Sequence, residues 1–462
     1  MNQRFSSYFG NLRGKRAAVI GIGVSNTPLI RLLLSHGCLV TACDRKSRAE
    51  LGELGDELAA LGARLSLGAG YLDGLECDVL FRTPGLRPDV PALLAARENG
   101  TVVTSEMEAF MAVCPCPVIG VTGSDGKTTT TTMIGELLRR GGYRVHLGGN
   151  IGKPLLAKAA EMEPSDYAVL ELSSFQLMTM RQSPHIAVVT NVTPNHLDVH
   201  TSMSEYVRAK QNIFMNQLPG DRLVLNGDNP VTAGFVPAPG VEAVFFSRAG
   251  RPEAAFYFDG TAICQAGGGA PVEIVRRDEV GVPGLHNIEN LMAAFAATDG
   301  LVSKTLWRET ARSFQGVEHR IEFVRTLDGV RYYNDSIASS PTRTIAGLHA
   351  FDQKVILIAG GYDKKIPFDA LAVEIPKNVK TLILTGATAE KIKTAVLNAR
   401  TEGEAAPPIL EYGGLEEAVR AARAAAVPGD IVMLSPACAS FDRFRDFAER
   451  GRTFKNFVME LE

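Results

Sequence analysis

The residues with the clearest chemical potential lie in a glycine-rich segment, GVTGSDGKTTT, at residues 120–130. An apolar run precedes this segment and a helical pattern follows it, so the segment is predicted to connect a buried strand to a helix. Backbone N–H groups in such a loop, with the amino end of the helix, can bind phosphate oxygens. Val121 occupies the first glycine position of the plain G-x-x-x-x-G-K-[ST] pattern. We therefore expect a variant of that phosphate-binding loop.

The side chains of this loop have distinct expected roles. Lys127 is expected to contact the β- and γ-phosphates, and the hydroxyl of Thr128 is expected to bind Mg²⁺. A glycine-rich turn that only caps a helix would explain the glycines but not the Lys-Thr pair. The loop residues predicted to bind the nucleotide are Gly123, Ser124, Asp125, Gly126, Lys127, Thr128, Thr129 and Thr130.

Two more candidate residues follow apolar runs that are predicted to be strands. Glu171 falls within the run at 167–172, so its carboxylate is expected at the carboxyl edge of a parallel sheet, where α/β proteins bind ligands. That position suits a Mg²⁺ ligand. His196 follows the run at 186–192 and is expected at the same edge, although an isolated histidine there is more often structural.

These residues must be positioned by several domains. The 462 residues suggest about three domains of ~150 residues each. Strands and helices alternate and the alternation restarts twice, which indicates parallel α/β domains. The predicted domains are 1–113, 114–318 and 319–462, with short antiparallel strands at 241–280 and helices that include 27–36, 203–217 and 287–298.

Composition excludes several classes of protein. Hydrophobic residues make up 45% and charged residues 21%, which is typical of a globular chain. A net charge of -3 gives no broad positive field, so no nucleic-acid partner is expected. No signal peptide and no apolar run of ~20 residues occur, so a cytoplasmic location without membrane insertion is expected.

The seven cysteines are scattered and odd in number, so they do not form a disulfide framework. Cys114 and Cys116 are a close pair, but their spacing fits no common zinc pattern. We interpret the cysteines as reduced packing residues.

The phosphate loop resembles that of the Mur ligases and folylpolyglutamate synthetases, which are ATP-dependent, amide-forming enzymes with three domains. Further blocks occur in the order seen in the D-glutamate-adding Mur ligases and extend the resemblance over essentially the whole chain. These blocks are GGNIG (148–152), ELSSFQL (171–177), NVTPNHLD (191–198), YVRAKQNIF (206–214), GLHNIENLMAA (284–294), HR (319–320), NDS (334–336), GGYDKK (360–365) and SPACASFDRF (435–444).

The resemblance implies an α/β fold with a Rossmann-like N-terminal domain, a central P-loop ATPase-type domain with a mostly parallel sheet, and a Rossmann-like C-terminal domain. It implies a monomeric ligase of peptidoglycan biosynthesis that adds D-glutamate to UDP-N-acetylmuramoyl-L-alanine, with ATP as co-substrate, through an acyl phosphate. The implied catalytic residues are Lys127, Glu171, His196 and Lys210. The implied ligands of two Mg²⁺ ions are Thr128, Glu171, His196 and Lys210, the last as a carbamate.

The resemblance also implies three sets of binding residues. The set for the ATP base and ribose is Asn287, Asn290, Arg320 and Asp335. The set for the UDP substrate is Gly23, Val24, Ser25, Asp44, Arg45, Lys46, Thr83, Pro84, Gly85, Asn150 and His196. The set for D-glutamate is Ser339, Lys364, Ser440 and Phe447, although Ser440 and Phe447 alone would also suit a helix cap and a core aromatic. Ile337 and Asn195 depart from many relatives, which carry Lys and Asp there.

Three alternatives remain at this point. A folylpolyglutamate synthetase is disfavoured by the UDP-type N-terminal domain. A non-catalytic nucleotide-binding regulator is disfavoured by the retained residues Lys127, Thr128, Glu171 and His196. A nicotinamide oxidoreductase would rest on Gly21-x-Gly23 and Asp44, but Asn26 replaces the third glycine of that fingerprint and the central phosphate loop would be unexplained.

Overall fold

The structure is a computed structural model that describes residues 2–196, 199–251, 253–399 and 406–462. Its first segment contains α1 (Gln3–Leu12), β1 (Arg16–Ile20), α2 (Asn26–Ser35), β2 (Leu39–Asp44), α3 (Arg48–Leu51), α4 (Glu53–Ala60), β3 (Arg64–Leu67), β4 (Val79–Phe81), α5 (Pro91–Glu98), β5 (Val102–Thr104) and α6 (Glu106–Val113). Within the described residues, these strands form a parallel sheet in the order β3-β2-β1-β4-β5. The Rossmann-like prediction for this segment is confirmed.

The middle segment carries the largest sheet. It contains β6 (Val118–Thr122), α7 (Lys127–Arg140), β7 (Val145–Gly149), β8 (Tyr167–Glu171), α8 (Ser174–Leu177), β9 (Ile186–Val189), α9 (Met203–Gln211), β10 (Arg222–Asn226), β11 (Glu242–Ser247), β12 (Phe256–Phe258), β13 (Ala262–Gln265), β14 (Val272–Arg276), α10 (Leu285–Thr298) and α11 (Lys304–Ser313), with short 3-10 helices at Leu156–Glu161, Thr232–Gly234 and Arg277–Glu279. The strand order across the described part of this sheet is β14-β13-β12-β11-β10-β9-β6-β8-β7.

Two sequence-based predictions for this segment need correction. The prediction of antiparallel strands at 241–280 is confirmed for the described pairings β12–β13 and β13–β14. It is wrong for β11, which pairs in parallel with β10 and β12, because the composition of a strand does not specify the direction of its partner. The helix predicted at 203–217 ends at Gln211, because Asn212 terminates it and donates its side-chain N–H to the carbonyl of Leu177.

The last segment contains β15 (Glu322–Leu327), β16 (Val330–Asn334), α12 (Pro341–Leu348), β17 (Val355–Ala359), α13 (Asp369–Asn378), β18 (Val379–Thr385), α14 (Ala389–Asn398), β19 (Ile409–Tyr412), α15 (Leu415–Ala425), β20 (Ile431–Leu434) and α16 (Phe447–Glu460). In the described chain, its sheet has the order β15-β16-β20-β17-β18-β19, and β15 and β16 form an antiparallel hairpin. The other pairings are parallel.

The chain forms two compact units, Met1–Glu279 with Ile288–Thr310 and Val280–Asn287 with Ala311–Glu462. The first unit holds two of the sheets, and buried side chains of both sheets belong to one hydrophobic core. The predicted boundaries after residues 113 and 318 stay predictions. Among the described residues, no helix is both long and apolar enough to cross a membrane. Each of the seven cysteines, all of them described, is a free thiol.

Burial of the central strands explains where the polar residues emerge. Every residue of β6 and of β17 is buried, as expected for parallel strands covered on both faces by helices. Such strands can carry polar functional groups only at their ends. The carboxyl ends of β6, β8 and β9 lie side by side in the sheet, so the residues that follow them share one edge.

The only tryptophan in the sequence, Trp307, is a fixed part of the first unit. It lies on α11 with no exposed surface, and its ring centroid lies 5.3 Å from Phe295 and 5.6 Å from Phe256. Its indole N–H donates to Thr298 Oγ1 at 3.0 Å. The indole is therefore both tightly packed and hydrogen-bonded.

Candidate active site

The phosphate loop joins β6 to α7 and is held by the residues that follow β9. Thr190 Oγ1 donates to the carbonyl of Asp125 at 2.6 Å, and Asn191 Oδ1 accepts from the N–H of Asp125 at 3.0 Å. Gly126 has a left-handed φ of 80°, and a side chain there would overlap Asn290 Oδ1. At Gly123 a side chain would overlap Thr190. The two glycines therefore permit close approach of the loop to protein atoms.

Ser124 is part of the frame of this loop. Its side chain is buried, and Ser124 Oγ accepts from the N–H of Thr193 at 2.9 Å. It also lies 2.9 Å from the carbonyl of Thr193 and 2.9 Å from the hydroxyl of Tyr206. Ser124 was predicted to bind ATP, and its hydroxyl stabilises the loop from behind.

Two lysines meet at one carbonyl of the loop. Lys127 Nζ donates to Gly123 O and to Ser124 O, both at 2.9 Å, and Lys210 Nζ donates to Gly123 O at 2.6 Å. Lys210 lies on α9 with 1% of its surface exposed, and its ammonium lies 4.6 Å from the centre of the Tyr206 ring. Burial, and secondly the charge of Lys127, hold the pKa of Lys210 well below its ordinary value.

Glu171 ends β8 and is 2% exposed. Thr128 Oγ1 donates to Glu171 Oε2 at 2.7 Å, and Asn150 Nδ2 donates to Oε1 at 2.8 Å. Carboxylate and hydroxyl oxygens are the hard donors that Mg²⁺ prefers, so the pair Thr128 and Glu171 fits this ion. Over the described residues, no three His, Cys, Asp or Glu side chains form a metal-binding group. Thr128 and Glu171 alone do not complete the coordination of this ion, so further ligands would be needed, for which His196, a modified lysine, water and phosphate are the candidates.

His196 lies in the segment after β9. Its backbone has a positive φ of 55°, and its N–H donates to Asn195 Oδ1 at 2.9 Å. Its ring contacts Phe175 edge to face, with centroids 5.1 Å apart. The Phe175 ring also stacks on the ring of His200, with centroids 5.3 Å apart. Asn195 thus supports the turn, and Leu197 and Asp198 of the same motif lie outside the described residues.

The predicted residues for the UDP end lie in the loops after β1, β2 and β4. Asp44 joins two of these loops, because it accepts from the N–H of Ile22 at 2.6 Å and from the N–H of Lys46 at 2.9 Å. A side chain at Gly21 would lie 3.2 Å from Thr83, so the third loop is adjacent. Partly or fully exposed in these loops are Gly23, Val24, Ser25, Arg45, Lys46, Thr83, Pro84 and Gly85.

The start of α2 is not closed by the side chain at its N-cap position. Ser25 occupies that position, but its side chain makes no capping hydrogen bond and its backbone is helical. Asn26 is buried instead and donates from Nδ2 to the carbonyl of Ile20 at 2.8 Å. An asparagine in place of the third glycine of a dinucleotide fingerprint therefore links the helix back to β1.

The residues predicted to bind the ATP base and ribose belong partly to one compact unit and partly to the other. Asn290, in the first unit, accepts from Thr130 Oγ1 at 3.2 Å beside the phosphate loop. Asp335, in the second unit, accepts from Ser435 Oγ at 2.7 Å and from the N–H of Ile321 at 3.2 Å. Burial raises the pKa of Asp335 to about 7. Asn287 donates to the carbonyl of Pro283 at 2.6 Å, and Arg320 lowers the pKa of Asp335 through its charge.

The predicted D-glutamate residues lie on loops of the second unit. Lys364 Nζ is exposed and lies 3.4 Å from Ser339 O and 3.5 Å from Ser339 Oγ. The N–H of Tyr362 donates to Ala439 O at 2.9 Å and brings this loop beside buried Ser440. Phe447 begins α16 and is 39% exposed, so it is not a core aromatic.

Arg450 is a structural residue that the sequence analysis missed. It is buried on α16 and donates to the carbonyls of Ser336, Cys438 and Ala439 at 2.9–3.0 Å, so it fixes the loops after β16 and β20. Burial lowers the pKa of Arg450 to about 10. An arginine on the apolar face of a helix, between Phe447 and Phe454, was the available signal.

Two protein-family models match the chain, one in its middle segment and one in its last segment. A model described as the Mur ligase middle domain matches residues 121–298, and a model described as the Mur ligase glutamate ligase domain matches residues 319–438. The UDP-N-acetylmuramoylalanine–D-glutamate ligase of Acetivibrio thermocellus is 51% identical, with 100% of each chain covered. The enzyme of the same name from Clostridium kluyveri is 49% identical, again with 100% of each chain covered.

Solved structures with lower identity share the fold. MurF from Acinetobacter baumannii gives a TM-score of 0.60 at 16% identity, and the match covers 100% of this chain and 99% of that one. The MurF ligase of Thermotoga maritima, solved in complex with ADP, gives 0.57 at 16% identity with 100% of both chains covered. The predicted three-domain α/β fold is therefore confirmed.

Proposed function

Because the chain belongs to the Mur ligase family, we propose that it adds D-glutamate to UDP-N-acetylmuramoyl-L-alanine in peptidoglycan synthesis, with ATP as co-substrate. The observation that carries this proposal is 51% identity over the whole chain to a D-glutamate ligase. The contact between Thr128 and Glu171 beside the phosphate loop supports it. The UDP substrate binds residues 1–113, ATP binds residues 114–318 with help from the last domain, and D-glutamate binds residues 319–462.

The reaction consists of two substitutions. The carboxylate of UDP-N-acetylmuramoyl-L-alanine attacks the γ-phosphorus of ATP, and the bond between this phosphorus and the β,γ-bridging oxygen breaks. ADP departs, and the substrate is left as an acyl phosphate. The amine of D-glutamate then attacks the acyl carbon and phosphate leaves with the bonding electrons. Both steps place negative charge on oxygen, so fixed positive groups are the main requirement. Lys127 turns from the carbonyls of Gly123 and Ser124 to the β- and γ-phosphates.

Mg²⁺ supplies neutralisation of phosphate charge when bound, and the residues that would hold it are Thr128, Glu171, His196 and Lys210. An ammonium cannot ligate a cation, so Lys210 takes part as a carbamate, formed when its neutral amine adds to carbon dioxide and releases one proton. Burial favours this step because it stabilises the neutral amine. A side-chain N–H of Asn150 and the hydroxyl of Thr128 keep the carboxylate of Glu171 in place.

The amino-acid pocket relies on Lys364. D-glutamate carries a side-chain carboxylate, and a carboxylate that leaves water needs a cation or several donors. Ile337 cannot supply that charge, whereas Lys364 lies beside Ser339 and is exposed. Ser440 lies in the neighbouring loop, and Phe447 is the first residue of α16.

The competing functions find less support. The full-length relatives are named as D-glutamate ligases, not as folylpolyglutamate synthetases. A non-catalytic regulator would not need an ordered pair of Thr128 and Glu171 beside two lysines. The loop after β1, on which a nicotinamide enzyme would depend, carries Asn26 at the third glycine position.

Phosphate release provides the test. The purified protein is supplied with ATP, Mg²⁺ and UDP-N-acetylmuramoyl-L-alanine, and a panel of amino acids is added one at a time. We expect phosphate release with D-glutamate and a product whose mass corresponds to one added glutamate. Preference for L-glutamate or a basic amino acid would contradict the proposed pocket. Equal phosphate release without the UDP substrate would contradict the ligase itself.

A further inference from the structure

Two arginines stand at the ends of the loop that follows β4, at residues 82–87. The loop includes Thr83, Pro84 and Gly85, which the proposed function places against the UDP substrate. Both arginines extend from the N-terminal sheet to the middle segment of the same compact unit. Neither belongs to the predicted binding or catalytic sets.

Arg82 organises the loop itself. Its side chain is 1% exposed, and one amino group, Nη1, donates to three carbonyls of the loop. These carbonyls are Thr83 O at 3.2 Å, Pro84 O at 3.1 Å and Leu86 O at 2.7 Å. A single nitrogen therefore sets the path of the chain around the expected substrate position.

The second amino group of Arg82 crosses to the middle segment. Nη2 donates to Phe175 O at 3.0 Å and lies 3.2 Å from Thr179 Oγ1. The Thr179 hydroxyl in turn donates to Glu108 Oε2 at 3.2 Å, back in the N-terminal segment. Burying a guanidinium costs free energy, and its planar fork fixes the orientation of whatever it binds. The arrangement favours precise geometry over stability.

Arg87 makes the second crossing. Its guanidinium donates to Val199 O at 2.6 Å and makes a bidentate pair with Glu205 at 2.8 and 3.1 Å. Hydrogen bonds from Arg87 hold the pKa of Glu205 down to about 2, so the pair is charged at neutral pH. Glu205 also accepts from the N–H of Thr201 at 2.6 Å, which ties the start of α9 to the same arginine.

Both arginines bind residues that themselves contact His196. Arg82 binds the carbonyl of Phe175, whose ring contacts the imidazole of His196. Arg87 binds the carbonyl of Val199, whose own N–H donates to His196 O at 3.1 Å. The loop for the UDP substrate is therefore linked through both arginines to His196, which the proposed function places among the residues that would hold Mg²⁺.

We propose that Arg82 and Arg87 are positioning residues that set the distance between the UDP-substrate loop and His196. Through them the substrate carboxylate is presented at the γ-phosphate in the orientation for attack. This inference rests on the proposed function. Lysine at position 82 would retain the charge but lacks the two amino groups that bind the loop and Phe175 at the same time.

The test is steady-state kinetics of the full chain with each substrate varied in turn, and wild type is measured first. For Arg82→Lys we expect the KM for the UDP substrate to rise about tenfold and kcat to fall about tenfold, since misplacement by ~1 Å can cost up to ~100-fold. The KM values for ATP and D-glutamate should stay unchanged. A merely structural arginine would lower the melting temperature and the active fraction but leave all three KM values at wild-type levels.

Thr179→Val tests the contact of Arg82 with the middle segment separately from its contacts with the loop. This substitution removes the hydroxyl between Arg82 and Glu108 but leaves the three loop carbonyls on Nη1. We expect kcat to fall several-fold while the KM for the UDP substrate stays within about twofold of wild type. Arg31→Gln is the matched control, because Arg31 forms an exposed pair with Glu57 in the same segment and should show wild-type kinetics.

The outcomes are distinct. A wild-type chain that forms no product contradicts the proposed function. An active wild type with unchanged UDP-substrate KM in Arg82→Lys overturns the positioning role, whatever the melting temperature. A selective change in that KM, with Arg31→Gln unaffected, supports it.

Discussion

The phosphate-loop region of the first unit and the amino-acid region of the second unit are built in different ways. Beside the phosphate loop two charged side chains, Glu171 and Lys210, are 2% and 1% exposed and are held by hydrogen bonds of 2.6–2.8 Å. In the amino-acid region Lys364 is exposed and its hydrogen-bond contacts measure 3.4 and 3.5 Å. Phosphoryl transfer requires charges that are fixed before the reaction. In the region proposed to bind D-glutamate, in contrast, the ammonium of Lys364 is exposed to solvent.

The largest effect should follow from loss of Lys127. In Lys127→Ala a cation is removed from the developing phosphoryl charge, so kcat should fall by ~100-fold or more. The helix should remain folded, because Lys127 fills no hydrophobic core. Phosphate release and circular dichroism measure the two quantities. Arg139→Ala, on the exposed face of the same helix, serves as the control, and near-wild-type turnover of Lys127→Ala would refute the assignment of the loop.

Lys210→Ala should also be severely impaired, and it distinguishes a carbamate from a plain ammonium. If the missing group is a carboxylate, an added short-chain carboxylic acid should restore part of the activity. The same acid should not restore Lys127→Ala, whose missing group is a cation. Failure of the acid at any concentration that wild type tolerates would favour the plain lysine.

A smaller and more selective effect is expected in the second unit, where Lys364 is exposed. Lys364→Ala should raise the KM for D-glutamate about tenfold, since a charged hydrogen bond contributes ~1.5–3 kcal/mol. The KM for the UDP substrate should change little. Lys377→Ala removes another exposed lysine of the second unit, paired with Glu374, and should be silent. Unchanged saturation by D-glutamate in Lys364→Ala would mean that another group binds its carboxylate.

The smallest effect concerns stability and pH. The ordinary pKa of an aspartate is 3.8, and burial raises that of Asp335 to about 7. The folded state therefore binds more protons than the unfolded state between these values, and the free energy of unfolding should fall as pH rises through this window, by at most ~1.4 kcal/mol per unit. Asp335→Asn should lose this dependence. Denaturant titrations at several pH values measure it, and parallel curves for both proteins would contradict it.

The sequence predicted the parallel core strands and the phosphate loop well, because buried apolar runs and glycine spacing are local signals. The predicted strands at 167–172 and 186–192 correspond to β8 (Tyr167–Glu171) and β9 (Ile186–Val189). The direction of β11 was predicted wrongly, since pairing depends on partners that the composition of a strand does not specify. The two strand ends that carry Glu171 and Thr190 were equally visible in principle, but only Glu171 was chosen as a candidate.

Several site features could not have been predicted from residue types alone. The shared carbonyl of Gly123 depends on how α9 packs behind the loop, and no local pattern encodes that distance. Arg450 and Arg82 carry charges into the interior, whereas the average arginine lies at the surface. Their roles became visible only when the carbonyls around them were known.

The location of Trp307 has a practical consequence for optical experiments. As the sole tryptophan, packed against Phe256 and Phe295, it makes intrinsic fluorescence a reporter of the first compact unit. Emission excited at the red edge of the indole band should follow melting of that unit and remain blind to melting of the other. Tyr332 and Tyr333 are buried in the second unit, and six of the ten tyrosines lie in the first, so tyrosine absorbance reports both units. Comparison of the tryptophan curve with the tyrosine curve from one unlabelled sample therefore shows whether the two units melt together.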